Sequence, residues 1–209
     1  MRFHRWTSML IAVAGVTLST TPASATAVQP IDGIPTDAIW RIQEFDLHIR
    51  TAQRYHSCSS LHQKISGILA AVGAGSVVVK LSCSRDQLTN EAFARVAAAA
   101  PVDASPENIE AATTFDARQQ LTARVRDVQL PTPTDIEHFP AEWRKVSLTR
   151  VPSLHLGVGD CELLQGMHDQ IFPRLSIRIV SKRLTCDSQS LFSPARPMLV
   201  VEALVRRDA

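Results

Sequence analysis

The spacing of the rarest residues constrains this chain more than any other feature. Trp40-Arg41, Cys58 and Cys83 recur 103 positions later as Trp143-Arg144, Cys161 and Cys186, and Leu61, Ile68 and Leu81 recur as Leu164, Ile171 and Leu184. Past residue 25 this register uses every Trp and every Cys. The sequence therefore predicts two copies of one unit, residues 34–103 and 137–206. They are joined by a connector, 104–136, that carries Ser105-Pro106 and the Pro-rich Leu130-Pro131-Thr132-Pro133.

In the first copy Phe45, Leu47 and Ile49 alternate with Asp46, His48 and Arg50, the period of a strand with one buried face. Leu61, Ile65, Ile68, Leu69 and Val72 then form one helical stripe, stopped by Gly73-Ala74-Gly75. Val77, Val79, Leu81 and Cys83 alternate along a second strand. The Ala-rich stretch 93–102 favours helix by propensity, but its counterpart at 198–205 is β-branched, so the repeat makes both strands. The second copy follows the same order. A strand lies near Val146–Val151, a helix runs from Cys161 to about Pro173, and strands follow over Ser176–Cys186 and 198–205. Apolar parity slips between Ile179 and Leu184, which points to a bulge.

Each unit reads β-α-β-β. In the connector, Asp116 caps a helix with Leu121, Val125 and Val128 on one side, expected to pack across the junction. A unit of this size has a marginal core, so the copies should share a sheet or pack face to face. The expectation is one α+β body with approximate twofold symmetry.

Residues 1–25 read as a signal peptide. Arg2, His4 and Arg5 precede the apolar run Met9–Leu18, and Ala23-Ser24-Ala25 offers a cleavage site. That run is half the roughly 20 residues a membrane span needs, so no stable membrane anchor is expected, and the product belongs to the periplasm or the extracellular medium. Removing Arg2 and Arg5 turns 22 basic against 20 acidic residues into 20 against 20. A neutral chain lacks the cationic surplus that binds phosphates, which argues against nucleic acid as a partner.

Four cysteines in an exported chain read as two disulfides with three possible connectivities. A helix of about 15 residues covers ~23 Å and the returning strand ~26 Å, so helix start and strand end meet. The expected pairs are Cys58–Cys83 and Cys161–Cys186. Two rival uses of these thiols exist, a redox centre at a helix start and a metal site of His56, Cys58 and His62. The counterpart positions Gly159, Cys161 and Gln165 hold no histidine.

The sequence contains no nucleophile elbow, Walker loop, His-Glu-x-x-His or dinucleotide fingerprint. Gly157-Val158-Gly159-Asp160 precedes a helix, and Asp160 itself is expected to cap it in place of an anion. His168 takes the place of Ile65 on the apolar stripe, as a hydrogen-bonded core histidine or an acid–base group. Trp40 and Trp143 precede the first strand of each unit. They either close each core or, if exposed, anchor a partner.

The leading expectation is an exported, non-enzymatic binding or interaction module without a cofactor. Its ligand candidates are Trp40, Trp143, His48 and His168, and its partner is an envelope or extracellular protein or a small ligand. The alternatives are a hydrolase-like site between the copies using Asp46, His48 and His168, and the metal or redox reading of the cysteines.

Overall fold

Alternation along the first strand decides which face of the sheet is buried. The computed structural model describes residues 35–51, 55–83, 88–186 and 196–207; the expected signal peptide lies outside them. In β1 (Thr36–Arg50), Phe45, Leu47 and Ile49 point into the core, while Glu44, Asp46, His48 and Arg50 are exposed. The strand begins earlier than its alternation suggests, so Trp40 lies within it rather than before it.

A two-residue strand, β2 (His56–Ser57), leads into α1 (Cys58–Ala71), where the Ser57 hydroxyl accepts the Ser60 amide. The helical stripe is buried as expected. At the turn that follows, Gly73 has φ 87°, and a Cβ there would come within 2.7 Å of Val205. Both the backbone conformation and the close approach require glycine. Then come β3 (Val77–Leu81), β4 (Leu88–Thr89), which pairs with β2, and β5 (Glu91–Asp103). Ala92, Ala94, Val96, Ala98 and Ala100 are buried on alternate positions of β5, and pairing with β1 overrides the helical propensity of the Ala run.

The connector folds as α2 (Pro106–Thr113) and α3 (Ala117–Val125). Asp116 forms a capping box with Gln119. The connector departs from expectation in its packing. Leu121, Val125 and Val128 are all more than half exposed, and within α3 only Ala123 is buried.

The C-terminal half comprises β6 (His138–Ser147), α4 (Cys161–Gly166), β7 (Ile177–Arg183) and β8 (Met198–Arg206). Its first strand lies earlier than Val146–Val151. After Ser147 the chain makes 3-10 turns over Leu148–Arg150 and Pro152–Leu154, because Pro152 has no N–H to give a ladder. Leu148 and Leu154 are buried from these turns. Helix α4 continues as a π turn, Met167–Ile171, and a 3-10 turn, Phe172–Arg174. Between Ile179 and Ser181 the β7–β8 register shifts, where the apolar parity slips.

One antiparallel sheet results, in the order β3-β5-β1-β6-β8-β7, which runs second, third, first of the three sheet strands of a half from either edge. The halves join over a short ladder, Thr36–Ile39 against His138–Ala141. Side chains of α1, α4 and their following turns pack with the sheet's inner positions into the main core. On the opposite, outer face a small cluster of Ala38, Phe139, Ala141 and Leu204 gathers both Trp40 and Trp143. Cys58 is bonded to Cys83 and Cys161 to Cys186, with Cα separations of 6.1 and 5.4 Å. Two disulfides in a chain of this size fit an oxidising, exported environment. No helix among the described residues is long and apolar enough to cross a membrane.

Candidate functional site

The connector is fastened over the outer face of the sheet by polar contacts at its start. The Ala104 amide donates to the Asp37 carbonyl at 2.9 Å, and Asn108 donates to the Asp103 carbonyl and carboxylate at 3.0 and 3.1 Å. Arg41 donates to Asn108 Oδ1 at 3.5 Å. Between this strap and β1 lies a cleft of about 640 Å³ whose apolar lining includes Trp40, Ile42, Phe115, Val128, Leu130 and Ile136. Its charged lining residues are Glu44, Asp116, Asp135 and Glu137, the last paired with Arg206 at 3.1 Å. Hydrogen bonds from the Thr132 hydroxyl and amide hold the Asp135 carboxyl below the usual carboxylate range. The cleft thus offers an apolar floor with an anionic rim. Ile42 stands on it 76% exposed, in the middle of a long strand.

Trp40 and Trp143 neither close separate cores nor stand free. Both are half-buried in the shared outer cluster, Trp40 against Phe139 at 4.7 Å between centroids. Arg178 lies 3.9 Å over the Trp143 ring. Neighbouring Arg144 instead reaches Glu142 at 3.0 Å.

The residues considered for acid–base work each have a partner of their own. His48 Nε2 lies 2.8 Å from Glu91 Oε1, and its ring stacks on Phe93 at 4.2 Å. Asp46 pairs with Arg95 at 3.5 Å, and His168 bonds Asp169, whose carboxyl Gln165 and His168 hold below its ordinary range. His168 is not on the buried stripe. The wider π turn places Met167 and Ile171 inward and leaves His168 half-buried. The same turn sends Gln170 to β1, where its side chain accepts from the His48 amide at 2.9 Å and donates to the His48 carbonyl at 3.0 Å.

Sequence reasoning missed a buried polar group. Lys64 of α1 lies 2.5 Å from Asp160 Oδ1, and His56 Nδ1 lies 3.9 Å from the same oxygen. Asp160 Oδ2 accepts the Gly157 amide at 2.8 Å, so its side chain turns back instead of capping α4. His56 Nε2 is buried without a hydrogen-bond partner in the described structure. Burial depresses the His56 pKa below its ordinary value and Lys64 adds to this, while Asp160, the Gly159 backbone and Glu162 oppose it. Nothing in sequence links residues 96 positions apart. Asp160 beside two glycines was the one visible signal.

For the weaker metal reading, Cys58 is in a disulfide, His56 faces Asp160, and exposed His62 lines a different cleft. Among the described residues, no three His, Cys, Asp or Glu side chains gather closely enough to hold an ion. The chain matches no family model, no curated protein and no solved structure.

Proposed function

We propose that this chain is an exported, non-enzymatic binding protein whose ligand enters the cleft between the connector and the outer face of β1. The exposure of Ile42 beside Trp40, in an apolar cleft lined by four carboxylates of which, among the described residues, Glu137 alone is ion-paired, with Arg206, carries the reading. Such a surface favours an amphipathic cation, whose apolar part leaves water while its charge meets the rim. Asp46, His48 and His168 each have separate structural partners, which supports a binding role over hydrolysis.

Export rests on residues 1–25 as a signal peptide cleaved after Ala25 and on the two disulfides. Descent of both halves from one β-α-β-β unit belongs to the same proposal. Its support is the sheet order, alike from either edge, and the 25-residue separation within each disulfide.

Calorimetric titration of the mature protein with dodecyltrimethylammonium below its micellar concentration tests the cleft. Saturable binding is expected, weakened at least tenfold by Ile42→Lys, an exposed change that places a cation on the floor. Absence of saturation, or equal affinity in the variant, overturns the reading.

A further inference from the structure

The geometry points to a second binding surface, the free edge of β3, which accepts an extended strand from a partner protein. This inference is independent of the outer-face cleft. Among the described residues β3 closes one end of the sheet and pairs with β5 alone, in unbroken register from Val77 opposite Ala98 to Leu81 opposite Ala94. The next residue, Ser82, donates its amide to the Phe93 carbonyl at 2.9 Å. In an antiparallel ladder the hydrogen-bonded positions alternate, so Val78 and Lys80 also bond toward β5. The N–H and C=O groups of Val77, Val79 and Leu81 then point outward from the edge.

The two ends of the sheet are built differently. β7, the opposite edge, has a broken register after Ile179 and carries Arg178, Lys182 and Arg183, devices that discourage strand addition. β3 has no register break and only one charged residue, Lys80. A cleft of about 590 Å³ runs along its inner side, lined by Val79, Leu81, His62, Gln63 and the Cys58–Cys83 disulfide. An edge flanked by a helix is the arrangement in which strand addition gains affinity from main-chain bonds and specificity from alternate side chains.

The same geometry sets the chemistry of the incoming strand. Side chains on its inner face enter the cleft against Val79, Leu81 and the disulfide, which favour aliphatic groups, with Ser59, His62 and Gln63 on the opposite, polar wall. Those on its outer face lie beside Val78, 52% exposed, and Lys80. The nearby cation Arg95 is engaged by Asp46, whereas Lys80 makes no ion pair among the described residues, so an acidic side chain is favoured there. A second copy of β3 fits less well. Its inward Val79 is only 8% exposed and already committed to its own core, which would leave the cleft unfilled.

The test uses the mature protein and a terminally blocked octapeptide alternating valine with glutamate. Amide exchange at Val77, Val79 and Leu81, followed by NMR, is expected to slow at least tenfold on saturation. Two further peptides carry N-methyl groups on all valines or on all glutamates. Only one parity of amides can face β3, so one methylated peptide retains binding and the other loses it, an outcome independent of protein folding. Lys80→Glu, an exposed change, is expected to weaken the octapeptide at least tenfold and to favour a valine–lysine counterpart. Equal binding of both methylated peptides, or unchanged exchange at Val79 and Leu81, overturns the proposal. Protection that rises with protein concentration alone also overturns it, by making the edge a self-association site.

Discussion

The first strand of the N-terminal half runs through Arg50, while the first strand of the C-terminal half ends at Ser147, although Trp40 and Trp143 stand at corresponding places. The difference follows from three positions. Phe45, Leu47 and Ile49 alternate into the core, but 103 residues on stand Leu148, Arg150 and Pro152, of which only Leu148 can continue that pattern. The second half therefore leaves the sheet in short turns and buries Leu148 and Leu154 from them. β1 also extends past its ladder with β6, which ends at Ile39 opposite His138, because in this antiparallel register the positions beyond Ile39 would face the connector before His138. α4 and its π turn pack against the part left over, and Gln170 supplies through one side-chain amide the donor and acceptor a neighbouring strand would have given. A strand that outruns its neighbour is thus tolerated when a side chain satisfies the backbone it exposes.

The short ladder between halves makes the buried Lys64–Asp160 pair the strongest test of how they are joined. Lys64→Met keeps the length and apolar stem of the side chain but leaves the Asp160 carboxylate, 4% exposed, without its cation. Breaking a buried pair from one side costs about 3–5 kcal/mol. Urea unfolding of Lys64→Met is expected to show a loss in this range, and the double variant Lys64→Met with Asp160→Leu a smaller one. A loss below about 1 kcal/mol in the single variant would mean that the ladder and core alone hold the halves together.

What the sequence disclosed was mostly local. Alternation located β1 and β3, β-branched composition located β8, the helical stripe located α1, and the lengths of helix and strand selected the disulfide partners. The Ala run was read as a strand only by reference to its valine-rich counterpart. Tertiary events stayed hidden. The apolar stripe of the second helix looks regular through His168, and only the π turn, a packing outcome, moves that residue off the stripe. Leu121, Val125 and Val128 share a helical side that the structure leaves open, since amphipathic spacing cannot say whether a surface exists to receive it. In the candidate cleft, Trp40 was noticed for its rarity. Ile42 escaped notice because only its exposure in the fold makes it unusual.

The next largest effect concerns the same joint through pH. His56 is buried beside Lys64 and Asp160, and its folded pKa lies below the value of about 6.5 expected in the unfolded chain. Between the two values the unfolded chain binds more protons, so stability rises with pH across this window. The contribution is complete above the unfolded value and is lost as pH falls toward the folded one. One such group changes stability by at most about 1.4 kcal/mol per pH unit. Urea unfolding at pH 7.5 and 5.5 is expected to show a fall for the native chain that His56→Gln reduces. An identical fall in both assigns the acid sensitivity to other groups.

The smallest effect isolates the device that replaces the missing strand. Gln170→Ala removes two hydrogen bonds to the His48 backbone, and at about 0.5–1 kcal/mol each, the lower part of the usual range as befits a partly exposed site, the loss should total about 1–2 kcal/mol. Stability alone would not separate this from lost helix packing, so the decisive readout is local. Exchange of the His48 amide should accelerate in Gln170→Ala, while the Arg95 and Ala97 amides of β5, which face β3 and not β1, keep their rates. Gln170→Glu refines the comparison, because it keeps an acceptor for the His48 amide but loses the donor to its carbonyl, and should lie between the native chain and the alanine variant in His48 exchange. If His48 exchanges equally slowly in all three, packing of α4 protects the end of β1, and the side-chain amide is incidental to how the longer strand survives without its neighbour.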